Sequence, residues 1–257
     1  MACMVALRGL ILVCLLQLSV QVDVNPAVLA KIIQYFDKNV QPKSGAQYAI
    51  AISLSKEQCT DETFSIKTVF SKEEAKIVKD TINCDSQICE LFTDSINVIA
   101  ARPDLKNPND HSEYRLLYNK NNGFPDSPMD KLLRNANENS CVVFYTFNSP
   151  CVERCIDGNK NILEGLSNWK NKQKEGVNVF VFRNIWHIDL KEDLTQKFQK
   201  IDNIVPLYRC HGAEQFNCIK CGDDNHQIQR DCVTKKKSNC LSVCVIQHLL
   251  NYISGMF

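Results

Sequence analysis

Two short motifs in the middle of the chain combine residue types that can hold a metal ion and move a proton. The first is His111-Ser112-Glu113, and the second runs from Pro150 to Cys155 with the sequence PCVERC. One imidazole and two thiolates make three ligands of a tetrahedral zinc ion and leave the fourth position open, as in catalytic rather than structural zinc sites. The motifs therefore predict Zn2+ bound by His111, Cys151 and Cys155.

A zinc ion at this place would give the neighbouring carboxylate a chemical role. Zinc lowers the pKa of a coordinated water to about 7, which supplies hydroxide at neutral pH. When hydroxide adds to an amine-bearing ring carbon, a carboxylic acid must protonate the ring nitrogen and then the departing ammonia. The pair of motifs therefore predicts hydrolytic deamination with Glu113 as the catalytic acid and base.

Each motif also has an ordinary structural explanation when it is taken alone. Asp110 and Glu113 have the spacing of a helix capping box. In a secreted chain, the cysteines of a C-x-x-x-C motif commonly belong to disulfides. The joint occurrence of the motifs, with a buried strand leading into Ser149-Pro150-Cys151, favours the zinc site.

The elements around the second motif should bring its two thiols together. Residues 141–147 (CVVFYTF) have the composition of a buried strand. Ser149 as a helix cap, followed by Pro150 in the first turn, predicts that Cys151 opens a helix. Residues four apart share one helical face, so Cys151 and Cys155 could bind the same ion, and the helix N-terminus would favour their thiolate forms.

The rest of the chain alternates between helical and strand patterns, apart from residues 83–100, for which the periodicity is mixed and no assignment is made. A strand, helix and strand in sequence imply a right-handed parallel crossover near the end of the domain. Helices are predicted from Pro26 onward, from the Ser71 and Glu74 capping box to Ile82, from His111 to Tyr118, from Ile162 through Trp169 and over 189–200; strands are predicted over 48–54 and 62–70 as a hairpin, over 177–182 and over 204–208.

The N-terminus and the cysteine content indicate a secreted protein. Residues 1–21 carry a short apolar run from Leu10 to Val20, typical of a secretory signal peptide, with a membrane anchor as the alternative. No later segment approaches the roughly 20 apolar residues of a spanning helix, so no membrane partner is expected. Twelve of the 14 cysteines follow the signal, a density expected where disulfides persist.

The pairing of the cysteines stays open. If Cys151 and Cys155 bind metal, ten remain and can form five disulfides, whereas without metal all twelve could pair. The segment 210–257 reads as a cysteine-rich extension with a terminal helix over 241–253. Its residues Cys210, His211, Cys218 and Cys221 could form a second zinc site, although disulfides are favoured in such a segment.

At the two motifs the chain resembles the zinc nucleobase deaminases, and most closely the secreted AID/APOBEC-like deaminases, whose pattern is H-x-E followed by P-C-x(2–4)-C. CVVFYTFNSPC is similar to that family's strand running into S-W-S-P-C, and VNVFVFRNIW is similar to its next strand. The resemblance implies a cytidine-deaminase-like three-layer α/β fold, with a mixed five-stranded sheet and helices on both faces. This deaminase domain would occupy 22–209 and precede the disulfide-rich C-terminal extension at 210–257.

The resemblance also implies roles for single residues, matched position by position. His111, Cys151 and Cys155 match the zinc ligands, and Glu113 matches the catalytic acid and base. The expected substrate-binding residues are Asn148, which stands where the family has tryptophan, Ser149, which matches the second serine of its motif, and Trp186 near the end of the next strand.

The implied substrate is cytosine, converted to uracil in extracellular single-stranded DNA or RNA, with a role in immune defence by analogy alone. Two alternatives remain: deamination of free cytidine or a related nucleoside, and an inactive secreted binding protein on the same fold. The formal net charge of +1 gives no general signal for nucleic acid, although the run Lys235 to Lys237 could contact phosphate.

Overall fold

The structure, a computed structural model, describes residues 23–83, 90–104, 106, 110–137, 139–212 and 216–234. The signal peptide predicted at 1–21, the lysine run at 235–237 and the helix predicted over 241–253 lie outside the described residues. Its elements, in chain order, are α1 (Pro26–Asn39), β1 (Ala49–Leu54), α2 (Lys56–Thr60), a 3-10 turn (Ile66–Thr68), α3 (Lys72–Ile82), β2 (Val98–Ala101), α4 (Ser112–Leu117), α5 (Pro128–Asn135), β3 (Cys141–Asn148), a π-helical turn (Val152–Ile156), α6 (Leu163–Lys172), β4 (Val177–Asn184), a 3-10 turn (His187–Lys191), α7 (Leu194–Asp202), β5 (Leu207–His211), β6 (Asn217–Lys220) and α8 (Arg230–Val233).

The strands form one mixed six-stranded sheet in the order β2-β1-β3-β4-β5-β6. β1 is antiparallel to β2 and β3, whereas β3, β4 and β5 run parallel, as the crossover prediction requires. β6 lies antiparallel to β5 at the edge. The α/β fold with a mixed sheet is confirmed, and it has one strand more than the five expected because residues 217–220, assigned to the extension, pair with β5.

Helices cover both faces of the sheet, because alternate strand residues feed two separate cores. Tyr145 and Val143 of β3 pack with α1 and α3, whereas Phe144 and Val142 pack with α4, α5, α6 and α7. Every residue of β3 from Cys141 to Phe147 is buried, which explains its nearly continuous apolar run. β3 is therefore an inner strand of the sheet, between β1 and β4, and helices cover both of its faces.

The predicted hairpin of 48–54 with 62–70 is wrong. Asp61 accepts hydrogen bonds from the backbone N and the hydroxyl of Thr63, and this local turn is followed by the 3-10 turn at Ile66–Thr68. The apolar residues of this segment are instead buried against α1, including Ile66 and Phe70. β1 finds its partners in β2, which lies in the stretch left unassigned, and in β3.

Asp37 near the end of α1 fastens this helix to the central strands. Its Oδ1 accepts hydrogen bonds from the Tyr145 hydroxyl at 2.7 Å and from the Tyr48 hydroxyl at 3.2 Å. Its Oδ2 lies 2.5 Å from Nη1 of Arg183 on β4. Burial raises the pKa of the Asp37 carboxyl, although these hydrogen bonds and the guanidinium act in the opposite direction.

Three disulfides occur among the described residues. Cys59 of α2 is joined to Cys141 at the start of β3, Cys210 to Cys218 across β5 and β6, and Cys221 to Cys232. The pairs at 210–218 and 221–232 confirm the preference for disulfides over a second zinc site. No helix in the described part of the chain has the length and apolar character needed to cross a membrane.

Candidate metal centre and active site

The first motif lies where the loop after β2 turns into α4. His111 is the N-cap residue of this helix, and its side chain makes no capping hydrogen bond. Asp110 forms an ion pair with Lys160, and Glu113 points into the protein, where it is 1% exposed. The capping-box explanation of this motif is therefore excluded, and α4 instead presents an imidazole and a carboxylate from its first turn.

The second motif follows β3, but its cap differs from the prediction. The backbone N of Ser149 donates to the Asn184 carbonyl at 2.7 Å, so Ser149 still pairs with the end of β4 and cannot cap a helix. Cys151 takes the N-cap position, and Val152–Ile156 form one π-helical turn rather than the start of an α-helix. The backbone N of Cys155 donates to the carbonyl of Cys151 at 3.0 Å, which folds the two cysteines back toward each other.

These two turns bring the predicted ligands together. His111 Nδ1 lies 3.1 Å from Cys155 Sγ and 3.6 Å from Cys151 Sγ, and the two sulfurs are 3.7 Å apart. His111 precedes Cys151 by 40 residues and Cys155 by 44 residues in the chain. Among the described cysteines, Cys151 and Cys155 are the two that form no disulfide. One nitrogen and two sulfurs at such distances can hold a metal ion.

The pKa values of the three side chains are shifted in different directions by their contacts with one another. A hydrogen bond with Cys155 and the adjacent His111 lower the pKa of Cys151 to about 4, so this thiol readily forms a thiolate. The hydrogen bond with Cys151 and the buried position raise the pKa of Cys155. The hydrogen bond with Cys151 also raises the pKa of His111. A metal ion would bind the neutral form of this imidazole and release its proton.

Glu113 is held beside the cluster by a network of polar side chains. Its Oε1 accepts from the Thr146 hydroxyl at 2.7 Å and from Gln47 Nε2 at 3.2 Å, and its Oε2 accepts from the Ser112 hydroxyl at 3.0 Å. Gln47 Nε2 also lies 2.8 Å from Thr146 Oγ1, while Gln47 Oε1 accepts from the backbone N of Asn148 at 2.8 Å. Burial raises the pKa of Glu113.

Gln47 and Thr146 were missed in the sequence analysis. The sequence pattern could have indicated Thr146, because apart from Tyr145 it is the one residue with a hydroxyl group in the apolar strand 141–147. No sequence pattern indicated Gln47, because it lies 66 residues before Glu113 in the chain. The pairing of β1 with β3 brings the segment that contains Gln47 next to Thr146.

Asp189 is a third residue that sequence patterns did not single out for the site. It belongs to the 3-10 turn His187–Lys191, where an α-helix over 189–200 had been predicted; the α-helix itself, α7, begins at Leu194 after its cap Asp193. The buried carboxylate accepts a hydrogen bond from the backbone N of Val152 at 3.0 Å. Burial raises the pKa of Asp189 to about 6.

The three expected substrate-binding residues lie together at the ends of β3 and β4. Asn148 is half-buried and pairs with Asn184 across the two strands. The Ser149 hydroxyl is buried and accepts a hydrogen bond from the backbone N of Trp186 at 3.0 Å. The half-buried Trp186 ring lies 4.5 Å from the ring of His187 and packs on the apolar core on the α4 side of the sheet.

The sequence model of one family, Secreted Novel AID/APOBEC-like Deaminase 1, matches residues 26–245. The chain belongs to this family. The match spans both motifs and all six strands, and it includes residues 210–245 of the predicted C-terminal extension. As a member of the Secreted Novel AID/APOBEC-like Deaminase 1 family with three disulfides among its described residues, the protein is secreted. No curated protein and no solved structure matches this chain.

Proposed function

We propose that this secreted protein is a zinc-dependent deaminase that converts cytosine to uracil in extracellular single-stranded nucleic acid. The observation that carries the proposal is the His111, Cys151 and Cys155 cluster with the buried carboxylate of Glu113 beside it. Membership in a deaminase family supports the reaction class. Cytosine as the base and a polynucleotide as the substrate come from the family resemblance and are part of the proposal.

The donor set fits zinc. Two thiolates and one imidazole are the usual ligands of zinc and disfavour magnesium or calcium, which prefer oxygen. When bound by these three residues, zinc would act as a Lewis acid and lower the pKa of a water at the open position to about 7. The low pKa of Cys151 allows this ligand to be ionised at neutral pH.

The remaining chemistry falls to the residues of the chain. Deamination replaces the amino group of cytosine by an oxygen from water and releases ammonia. Glu113 would accept a proton from the water and deliver it to ring nitrogen N3; it would then take the proton of the hydroxyl newly formed on C4 and pass it to the amine, which leaves as ammonia while C4 becomes a carbonyl. The hydroxyls of Thr146 and Ser112 and the amide of Gln47 would hold the two carboxylate oxygens in place during these transfers.

The test is the release of ammonia and the formation of uracil by the mature protein, measured with single-stranded DNA, single-stranded RNA and free cytidine. Glu113→Gln should reduce turnover by at least about a thousandfold while the protein keeps one zinc ion, because the amide cannot shuttle a proton. Glu164→Gln, at an exposed glutamate of α6, serves as the matched control and should leave turnover unchanged.

Each other outcome would contradict a part of the proposal. Turnover of free cytidine but of neither polymer would replace the substrate by a nucleoside. Full activity of Glu113→Gln would remove the role of the carboxylate. Bound zinc with no turnover of any of the three substrates would make this protein a binding protein on a deaminase fold.

A further inference from the structure

A groove on the α1 side of the sheet gathers positive charge that the proposed reaction does not use. It has a volume of about 440 Å3 and lies between α1 and the segment that leads into α3. All of its charged lining residues are lysines, namely Lys31, Lys38, Lys67 and Lys72. These four charges stand out in a chain with 30 basic and 29 acidic residues.

The lysines of this groove, hereafter the lysine groove, form no ion pairs with the described carboxylates. No described Asp or Glu lines the groove, and none forms an ion pair with any of the four lysines. Lys31 Nζ donates to the Glu62 backbone carbonyl. All four side chains are exposed, so they can turn toward a ligand. Such a concave patch concentrates positive potential and attracts anions.

Three acidic residues lie near the groove lining. The pKa of Asp61 is lowered mainly by its hydrogen bonds with Thr63, and Lys31 is close enough to add to this effect. Glu73 and Glu74 are close enough to Tyr35 to add to the effect of burial on its pKa. Glu74 is engaged in the capping box of α3, where its Oε2 accepts from the backbone N of Ser71 at 2.8 Å. Glu74 and Asp61 are thus held by hydrogen bonds to Ser71 and Thr63, and the charged side chains of the groove lining are the four lysines.

The uncharged lining favours a ligand that alternates charge with flat apolar surface. The half-buried ring of Phe64 supplies the exposed apolar surface of the lining, since Ile66 and Tyr35 are largely buried. Gln34 and Asn39 add amide groups that can donate to oxygen. Proteins that bind single-stranded nucleic acid without sequence preference place basic side chains along its phosphate backbone and an aromatic ring against a base.

From these observations we infer that the lysine groove binds single-stranded nucleic acid through its phosphates, with a base against Phe64. The groove is distinct from the metal cluster. Tyr145 and Thr146 are consecutive in β3 and therefore point to opposite faces: Tyr145 contacts Asp37 of α1, whereas Thr146 contacts Glu113. The choice of a nucleic acid rests in part on the proposed function, but binding here needs no turnover.

The experiment measures binding of a fluorescein-labelled oligothymidylate of about 20 nucleotides to the mature protein by fluorescence anisotropy. This strand contains no cytosine, so failed binding and failed deamination give separate results. The double variant Lys67→Glu with Lys72→Glu should weaken binding about tenfold or more. Its matched control, Lys120→Glu with Lys174→Glu, makes the same charge change at exposed lysines of the opposite layer and should weaken binding less than about threefold.

Two further measurements test the mode of binding. If four phosphates are contacted, the logarithm of the binding constant should fall with the logarithm of salt with a slope of about −2.8, and with half that slope in the groove variant. Phe64→Leu keeps an apolar side chain but removes the ring, and it should weaken binding of the strand about fivefold. Lys31→Gln with Lys38→Gln repeats the charge test with neutral residues, should the glutamate variant fold poorly.

Two results would overturn the inference. Equal affinities of the groove and control variants would show that net charge, rather than this groove, determines binding. Tighter binding of a heparin oligosaccharide than of the oligothymidylate, unaffected by Phe64→Leu, would identify the groove as a site for sulfated polysaccharide.

Discussion

Gln47 should contribute measurably to the free energy of unfolding, because it joins Glu113, Thr146 and the end of β3. Its amide nitrogen has two protons and three acceptors within 3.2 Å, so two of these bonds form at a time. A third bond is accepted by Oε1 from the backbone N of Asn148. At about 1 kcal/mol for each bond, Gln47→Ala would lose about 3 kcal/mol. Because Gln47 is half-buried and water can restore part of this, we expect about 2 kcal/mol.

Urea unfolding of the mature protein provides the assay for this loss. With an m-value of about 2 kcal/mol/M, the unfolding midpoint of Gln47→Ala should fall by about 1 M. Gln41→Ala is the matched control, since this nearby half-buried amide donates one hydrogen bond, to the Ala46 carbonyl at 3.3 Å. Its midpoint should stay within about 0.25 M of the wild type.

The same variant also tests the link to the proposed chemistry. Gln47 contacts none of the three candidate ligands, so zinc content should not change in Gln47→Ala. Turnover should fall about tenfold or more through kcat, because the Glu113 carboxylate loses a positioning contact. Equal unfolding midpoints for Gln47→Ala and Gln41→Ala would refute the reasoning, since the network would then contribute nothing to stability.

Further predictions concern the cross-link, the buried acids and the metal. Replacing Cys59 and Cys141 by alanine frees a loop of 82 residues, and chain entropy predicts a loss of about 4.5 kcal/mol in urea unfolding. Burial raises the folded-state pKa of Asp37 above its unfolded value. The contribution of this carboxyl to the unfolding free energy is therefore full below about pH 4 and declines as the pH rises through the folded-state pKa. Asp37→Asn should remove this decline from the pH profile of the unfolding free energy. Asp189→Ala should weaken zinc binding about tenfold in chelator competition, because the Val152 N–H in the turn between the two cysteines loses its acceptor. Adding zinc at about 100 times its dissociation constant should raise the unfolding free energy by about 2.7 kcal/mol, and a chelator should reverse the gain.

Sequence patterns predicted the correct element where contacts between neighbouring residues, or burial of the whole segment, determine the structure. The capping box of Ser71 and Glu74 formed as predicted, because both partners lie within one helical turn. The buried strand over 141–147 was recognised because burial on both faces leaves a continuous apolar run. Patterns failed where distant contacts overrode composition, as in 62–70, whose strand-like residues pack against α1 instead of pairing with β1.

The candidate site divides in the same way. The sequence by itself determined which side chains could bind a metal, because an imidazole and two thiols are properties of His111, Cys151 and Cys155 themselves. The order of their two motifs matches the pattern of the deaminase family. The tertiary structure decided how Glu113 and the cysteine turn are held, because strand pairing brings Gln47 and Thr146 to Glu113, and loop packing brings Asp189 to Val152. It also decided where the lysine groove forms, since Lys31 and Lys38 meet Lys67 and Lys72 only after α1 packs against the segment before α3. Bonding chemistry can be read from residue types, whereas proximity between residues far apart in the chain exists only in the folded state.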